Sequence, residues 1–180
     1  MIDALLAAPP RLGAVRVLAV DGPSGSGKST LAGKIVAELA GRGVRVALVS
    51  TDEFATWDEP VSWWPRLETG VLEPLRAGRA GRYRRVDWTG VTPRPGDQVE
   101  IPVPEVLVLE GVSSGRARMR PSLSLLTWLD GGSEVERLDR GVERDGEGSR
   151  AELRRWQLFE RGWFAVDGTR AAADRVVTCP

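Results

Sequence analysis

The chain has 180 residues, with 25 lysines plus arginines, 25 aspartates plus glutamates, no histidine and one cysteine. A formal charge of zero argues against nucleic acid and anionic membrane as partners, since both are usually met by a basic excess. The lack of histidine removes histidine bases, triads and metal sites, and the lone Cys179 allows no internal disulfide, which fits a reducing cytoplasm.

In chain order, "MIDALLAAPPRLGAV" predicts no signal peptide: Asp3 stands where a basic region belongs, and Pro9-Pro10 end the apolar run. No apolar run approaches the roughly 20 residues of a membrane span. "VRVLAV" (15–20) predicts a buried strand that breaks at Asp21-Gly22. Residues 28–41 carry Leu31, Ile35 and Leu39 at helical spacing, with Gly41 or Gly43 as the C-terminal cap. "VRVALVS" (44–50), "VLVLEG" (106–111) and "LSLLTWLD" (123–130) predict three more strands. Residues 133–145 and 150–166 predict helices, and "DRVVTC" (174–179) a last short strand. Strands alternating with helices predict an α/β fold with a mostly parallel sheet of about five strands. The length predicts one domain over residues 1–180.

The middle, 52–105, differs: it holds Trp57, Trp63, Trp64, Trp88, several prolines and the arginine-rich "RAGRAGRYRR" (76–85). It reads as an insertion lying over the mouth of the sheet. The arginine run reads either as a solvated face or as a contact for a phosphorylated or carboxylated acceptor.

"GPSGSGKS" (22–29) matches G-x-x-x-x-G-K-[ST] at every fixed position, with a strand before it and a helix after. The glycines let the backbone turn tightly and aim its N–H groups inward as an anion nest, backed by the positive end of the helix. Lys28 would reach the β and γ phosphates, and the Ser29 hydroxyl would ligate Mg²⁺. The nucleotide-binding set is Gly22, Ser24, Gly25, Ser26, Gly27, Lys28, Ser29 and Thr30. The fold is then a three-layer P-loop NTPase fold. The only lysines are Lys28 and Lys34, so no Asn-Lys-x-Asp loop is available to read guanine as switch GTPases do. Motor ATPases generally need more chain. A small-molecule kinase is what remains.

At this point the chain resembles the uridine kinase family and its relatives, the phosphoribulokinases and pantothenate kinases. "STDEFATW" (50–57) resembles the family's Asp-x-Phe stretch, which makes Asp52 the base facing the acceptor hydroxyl. "VLVLEGV" (106–112) resembles its Glu-Gly strand end, which sets Glu110 by the metal. "RLDRGVERD" (137–145) resembles its arginine-rich lid, here spanning 133–150 with Arg137, Arg140 and Arg144, and "ADRVV" (173–177) resembles its last strand. Trp57 with Asp58-Glu59-Pro60 resembles Phe-Asp-x-Pro, and "RVDWTG" (85–90) resembles Tyr-Asp-Phe. The resemblance therefore implies an acceptor-binding insertion at 52–105, with Trp57, Asp87, Trp88, Arg137 and Asp52 around the acceptor.

The residues also carry their own chemistry. Asp52 follows a strand end, where open α/β sheets bind ligands, and a carboxylate there can deprotonate a hydroxyl. The lesser alternatives are a helix cap or a ligand to metal-bound water. Glu110 ends a strand beside a glycine and suits Mg²⁺, or caps a helix. Arg137, Arg140 and Arg144 share a helix face, which neutralises a transferring phosphoryl group or forms a solvated surface paired with Glu134, Glu136 and Asp139. Trp57 and Trp88 stack on a planar base or fill core, whereas Trp128 and Trp156 fill core. The sequence departs from uridine kinases in having no histidine, in "VDW" for Tyr-Asp-Phe, and in "GEGSR" after the lid.

The expectation is a cytoplasmic kinase using ATP and Mg²⁺, with Lys28, Asp52, Arg140 and Arg144 catalytic and Ser29 and Glu110 on the metal. Its partner is a small-molecule acceptor, nucleosides leading, with no nucleic acid and no membrane; a homo-oligomer is left open. The alternatives are a pantothenate-like or sugar-phosphate acceptor, or a nucleotide-binding regulatory protein with little turnover.

Overall fold

Apolar side chains on both faces of a strand need a layer on each side of it. In chain order the elements are α1 (Ile2–Ala7), β1 (Arg16–Asp21), α2 (Lys28–Gly41), β2 (Val46–Ser50), α3 (Trp64–Leu67), α4 (Glu73–Arg76), β3 (Gly81–Asp87) and β4 (Arg94–Ile101). They continue with β5 (Val106–Glu110), β6 (Leu125–Leu129), α5 (Glu134–Asp145), α6 (Arg150–Asp167) and β7 (Arg175–Val177). The structure is a computed structural model and describes residues 1–89 and 92–178. Gly90, at the end of "RVDWTG", and Cys179, at the end of "DRVVTC", lie outside the described residues.

Five strands form one parallel sheet in the order β2-β5-β1-β6-β7. In central β1, Leu18 and Val20 face one side and Val17 and Ala19 the other. On the first side Ala32, Ile35 and Leu39 of α2 and Leu5 of α1 pack on Leu18, Val20, Val106 and Val108. The start of the chain is thus a short amphipathic helix that seals one end of this core. The three-layer α/β fold with a mostly parallel sheet of about five strands is what the sequence predicts. The register aligns Val20 and Ser50 with Glu110, so the ends of three neighbouring strands converge. Among the described residues no helix is long and apolar enough to cross a membrane.

The segment 52–105 does more than lie over the mouth. Helices α3 and α4, joined by one π-helical turn (Glu68–Leu72), carry Leu67, Val71, Leu72 and Leu75 into the core formed with Val17, Ala19, Leu107 and Leu109. The segment therefore supplies the second layer of the fold. Its remainder is the antiparallel hairpin β3–β4, which the sequence reading did not anticipate. Tyr83 and Val86 point inward, Arg82, Arg84 and Arg85 outward, and a bulge between Arg84 and Val86 interrupts the period of two. The arginine run is a solvated face: Arg76 pairs with Glu68, Arg82 with Glu100 and Arg85 with Asp97, all arginines exposed.

Helix α5 begins at a capping box. Ser133 Oγ accepts from the Glu136 amide at 3.3 Å, and the Glu136 carboxylate accepts from the Ser133 amide at 2.8 Å. Leu138 and Val142 of α5 meet Leu153 of α6, with Trp57 against them.

Candidate active site

The loop between β1 and α2 turns through glycines whose space is already taken. Gly25 lies at φ +73°, and a Cβ there would come 2.4 Å from the Arg137 carbonyl oxygen. Gly131, after β6, lies at φ +68°, and a Cβ there would meet Ser26 at 2.2 Å. The cradle is therefore pressed between α5 and the β6–α5 turn. Lys28 is buried, with its ammonium donating to the Pro23 carbonyl at 2.9 Å. Ser26 Oγ is buried with no hydrogen-bond partner, its side chain packed against the Gly131 turn. Gly27, Ser29 and Thr30 are open at the helix start, and Gly22 and Ser24 complete the loop. A buried ammonium and a helix N-terminus fit a phosphate group.

The strand register brings the acids to this loop. Ser29 Oγ donates to both Glu110 carboxylate oxygens at 3.3 Å. Burial and then the Asp52 charge hold the Glu110 carboxyl above its usual range, while Ser50, Lys28 and Ser29 pull it back. Asp52 is exposed in a 3₁₀ turn (Thr51–Glu53) past β2. Its backbone is held from several sides. Its amide donates to Ser50 Oγ at 3.3 Å, Trp88 Nε1 donates to its carbonyl at 2.8 Å, and Tyr83 OH donates to the carboxylate of neighbouring Glu53. Hairpin β3–β4 thus positions Asp52.

The arginines of α5 differ in placement. Arg140 Nε donates to the Gly25 carbonyl at 2.8 Å, and its other arm to Gly131, which binds α5 to the cradle. Arg137 donates to the Gly132 carbonyl at 2.6 Å, and its Nε is buried without a partner. Arg144 is exposed and pairs with Asp145 at 2.7 and 2.6 Å, and the Asp52 and Glu110 charges reinforce its cationic form. The anticipated pairing with Glu134, Glu136 and Asp139 is not what α5 makes. Asp139 goes to Arg150, Glu134 to Arg161, and Glu136 to the capping box.

Around the insertion tip, Trp57 meets Trp88 edge-on at 5.0 Å and Trp156 at 5.9 Å. A groove of about 310 Å³ beside them is lined by Trp57, Asp58, Pro60, Glu152, Arg155, Trp156 and Phe159. Asp87 accepts from the Thr89 amide and hydroxyl at 2.9 and 3.0 Å, which hold its carboxyl below the usual range. Trp128 is buried against Phe164 at 4.7 Å.

The fold as a whole has close counterparts. A "possible uridine kinase" from Bacillus stearothermophilus superposes with a TM-score of 0.69 over 97% of this chain and 94% of its own, at 19% identity. The fold is that of the uridine kinase-like P-loop kinases. A candidate fructose transport system kinase from Silicibacter sp. TM1040 shares this uridine kinase-like fold, with a TM-score of 0.65 over 99% and 97% of the chains at 20% identity. In sequence, two uridine kinases of Limosilactobacillus reuteri are 27% identical over 72% of this chain. The match spans 64% of the length of those curated relatives. The family model described as methylmalonyl Co-A mutase-associated GTPase MeaB matches residues 2–58, which hold the cradle and end just past Asp52.

Within this uridine kinase-like fold, three buried charges escape a sequence reading. Asp21 accepts from the amides of Gly22, Ser113 and Gly115 at 2.7, 3.0 and 2.7 Å, and burial pushes its carboxyl up to about 6. Arg116 lies 4.7 Å over Trp63 and 5.0 Å over both Trp64 and Trp163, and burial lowers its guanidinium to about 10. Glu160 of α6 bonds Ser24 of the cradle. Asp21 at least closes the apolar run 15–20, whereas Arg116 and Glu160 stand in polar, arginine-rich stretches that mark neither as buried.

Proposed function

We propose that the chain is a kinase that transfers the terminal phosphoryl group of ATP to a small-molecule hydroxyl, with a nucleoside as the leading acceptor class. The observation that carries this reading is the meeting of Ser29, Lys28, Glu110 and Asp52 at one end of the parallel sheet, with Ser29 Oγ 3.3 Å from Glu110. The oxygen donors of Ser29 and Glu110, together with the phosphates, suit Mg²⁺. That ion supplies charge neutralisation on the phosphates when bound. Lys28 and the loop amides grip the triphosphate. Asp52 orients the acceptor hydroxyl and takes its proton as the oxygen bonds to the terminal phosphorus and the bond to the diphosphate breaks. Arg140 and Arg144 offset the charge on the transferring group. Trp57, Trp88, Asp87 and Arg137 line the approach of the acceptor, and the indoles suit a planar base.

Asp52→Asn tests this directly. It keeps the backbone hydrogen bonds and removes the base, so nucleotide affinity stays within about twofold while transfer falls by at least ~10²-fold. Transfer at the wild-type rate in that variant would overturn the assignment.

A non-nucleoside acceptor, such as a sugar derivative, is the second reading. It is favoured by the absence of histidine from the chain and by the likeness to a candidate fructose transport system kinase. The GTPase family match over 2–58 favours GTP as an alternative donor to be assayed beside ATP.

A further inference from the structure

Helix α6 sends one charged side chain into the cradle itself. Glu160 is 2% exposed, and among the described residues its hydrogen bonds go to Ser24 alone. The Ser24 amide donates to the two carboxylate oxygens at 3.1 and 2.9 Å, and the Ser24 hydroxyl donates at 2.6 Å. An anion on a backbone N–H and a hydroxyl is the chemistry that a phosphate oxygen would use at the same loop.

The position within the cradle follows from Lys28. Its ammonium donates to Pro23, one residue before Ser24, and a lysine at this place in such a loop reaches the β and γ phosphates. Glu160 therefore stands at the terminal-phosphate end. The charged groups facing it are Lys28 from α2 and Arg137 from α5, and burial raises its carboxyl in spite of both. Neither forms an ion pair with it among the described residues.

We propose that Glu160 is a specificity-determining residue of the cradle: an internal carboxylate that occupies the Ser24 donors and repels the terminal phosphate, lowering affinity for triphosphate relative to diphosphate. The proposal rests on the triphosphate-binding reading above. A terminal phosphate can take the Ser24 donors only as Glu160 yields them. Gln157, one turn earlier on α6, donates to the Glu134 carbonyl at 3.0 Å and ties this part of α6 to the start of α5.

The test is calorimetric titration of the full chain with Mg²⁺ plus ATP or ADP, and GTP or GDP alongside, for wild type, Glu160→Gln, Glu160→Met and Glu160→Asp. Glutamine keeps an acceptor for the Ser24 amide and offers its NH₂ to the hydroxyl, so the loop stays held while the charge is gone. The ratio of triphosphate to diphosphate affinity rises about tenfold, as expected for one unit charge removed within about 10 Å. Methionine, of the same length and uncharged, weakens both nucleotides by freeing the loop but raises the ratio likewise. This second variant carries the test should the glutamine protein not fold. Aspartate keeps the charge and the wild-type ratio. An unchanged or lower ratio in the neutral variants overturns the Glu160 assignment while leaving the kinase reading intact. Failure of wild type to bind any of the four nucleotides overturns the triphosphate reading, and this proposal with it.

Discussion

Asp21 shows what a single residue does when the fold removes its water. Its carboxyl binds a proton more tightly in the folded protein than in the unfolded chain, at about 6 against the usual 3.8. The stability it contributes is thus present below the unfolded value and is lost as pH rises through 6. Asp21→Asn leaves the Gly115 amide without its acceptor and destabilises by about 2 kcal/mol at pH 4. The gap to wild type then closes and reverses towards pH 7.5, since wild type loses up to about 3 kcal/mol over that range, as read from urea unfolding at a series of pH values. A gap that widens with pH would contradict this account. At this scale the legible residues were those fixed by local spacing. Lys28 and Ser29 follow from the loop pattern, and Asp52 and Glu110 stand at the ends of apolar runs. Asp21 and Glu160 were illegible for a physical reason. Asp21 takes its Ser113 partner from 92 residues away, and Glu160 takes Ser24 from 136 residues away.

Among the elements, α2, α5 and α6 could be read because each repeats its apolar positions at helical spacing and ends at a glycine or a cap. The hairpin could not, because arginines on its outer face and the bulge at Arg84/Val86 hide the alternation. The core role of the helical part of the insertion was not read from the sequence, where a π turn breaks its period midway. Its burial has a measurable consequence. Leu72 is 1% exposed in the same core as Val17 and Leu107. Leu72→Ala costs about 3 kcal/mol and lowers the stability of sheet and insertion together. Tryptophan fluorescence and far-ultraviolet dichroism should therefore report one coincident urea transition, shifted to lower concentration. A fluorescence transition that runs ahead of the dichroism would mean that the insertion unfolds by itself.

In the whole molecule, the strand order β2-β5-β1-β6-β7 is what makes a site out of distant motifs. It sets Glu110 between the end of β1, which feeds the cradle, and the end of β2, which feeds Asp52. The alternation of strands and helices foretold a parallel sheet, and collinear motifs foretold its resemblance to uridine kinases. The groove at the insertion tip was least legible, because its walls come from the insertion and α6, whose meeting at Trp57 and Trp156 has no local pattern. The central claim is phosphoryl transfer to a hydroxyl acceptor. It is tested most directly by diphosphate release from ATP and GTP, with Mg²⁺, across a panel of nucleosides, sugars, sugar phosphates and pantothenate-like alcohols. The account predicts release that rises well above the acceptor-free rate for one acceptor class, with one phosphorylated product formed per diphosphate. Release at the same slow rate with every acceptor and with none would contradict it.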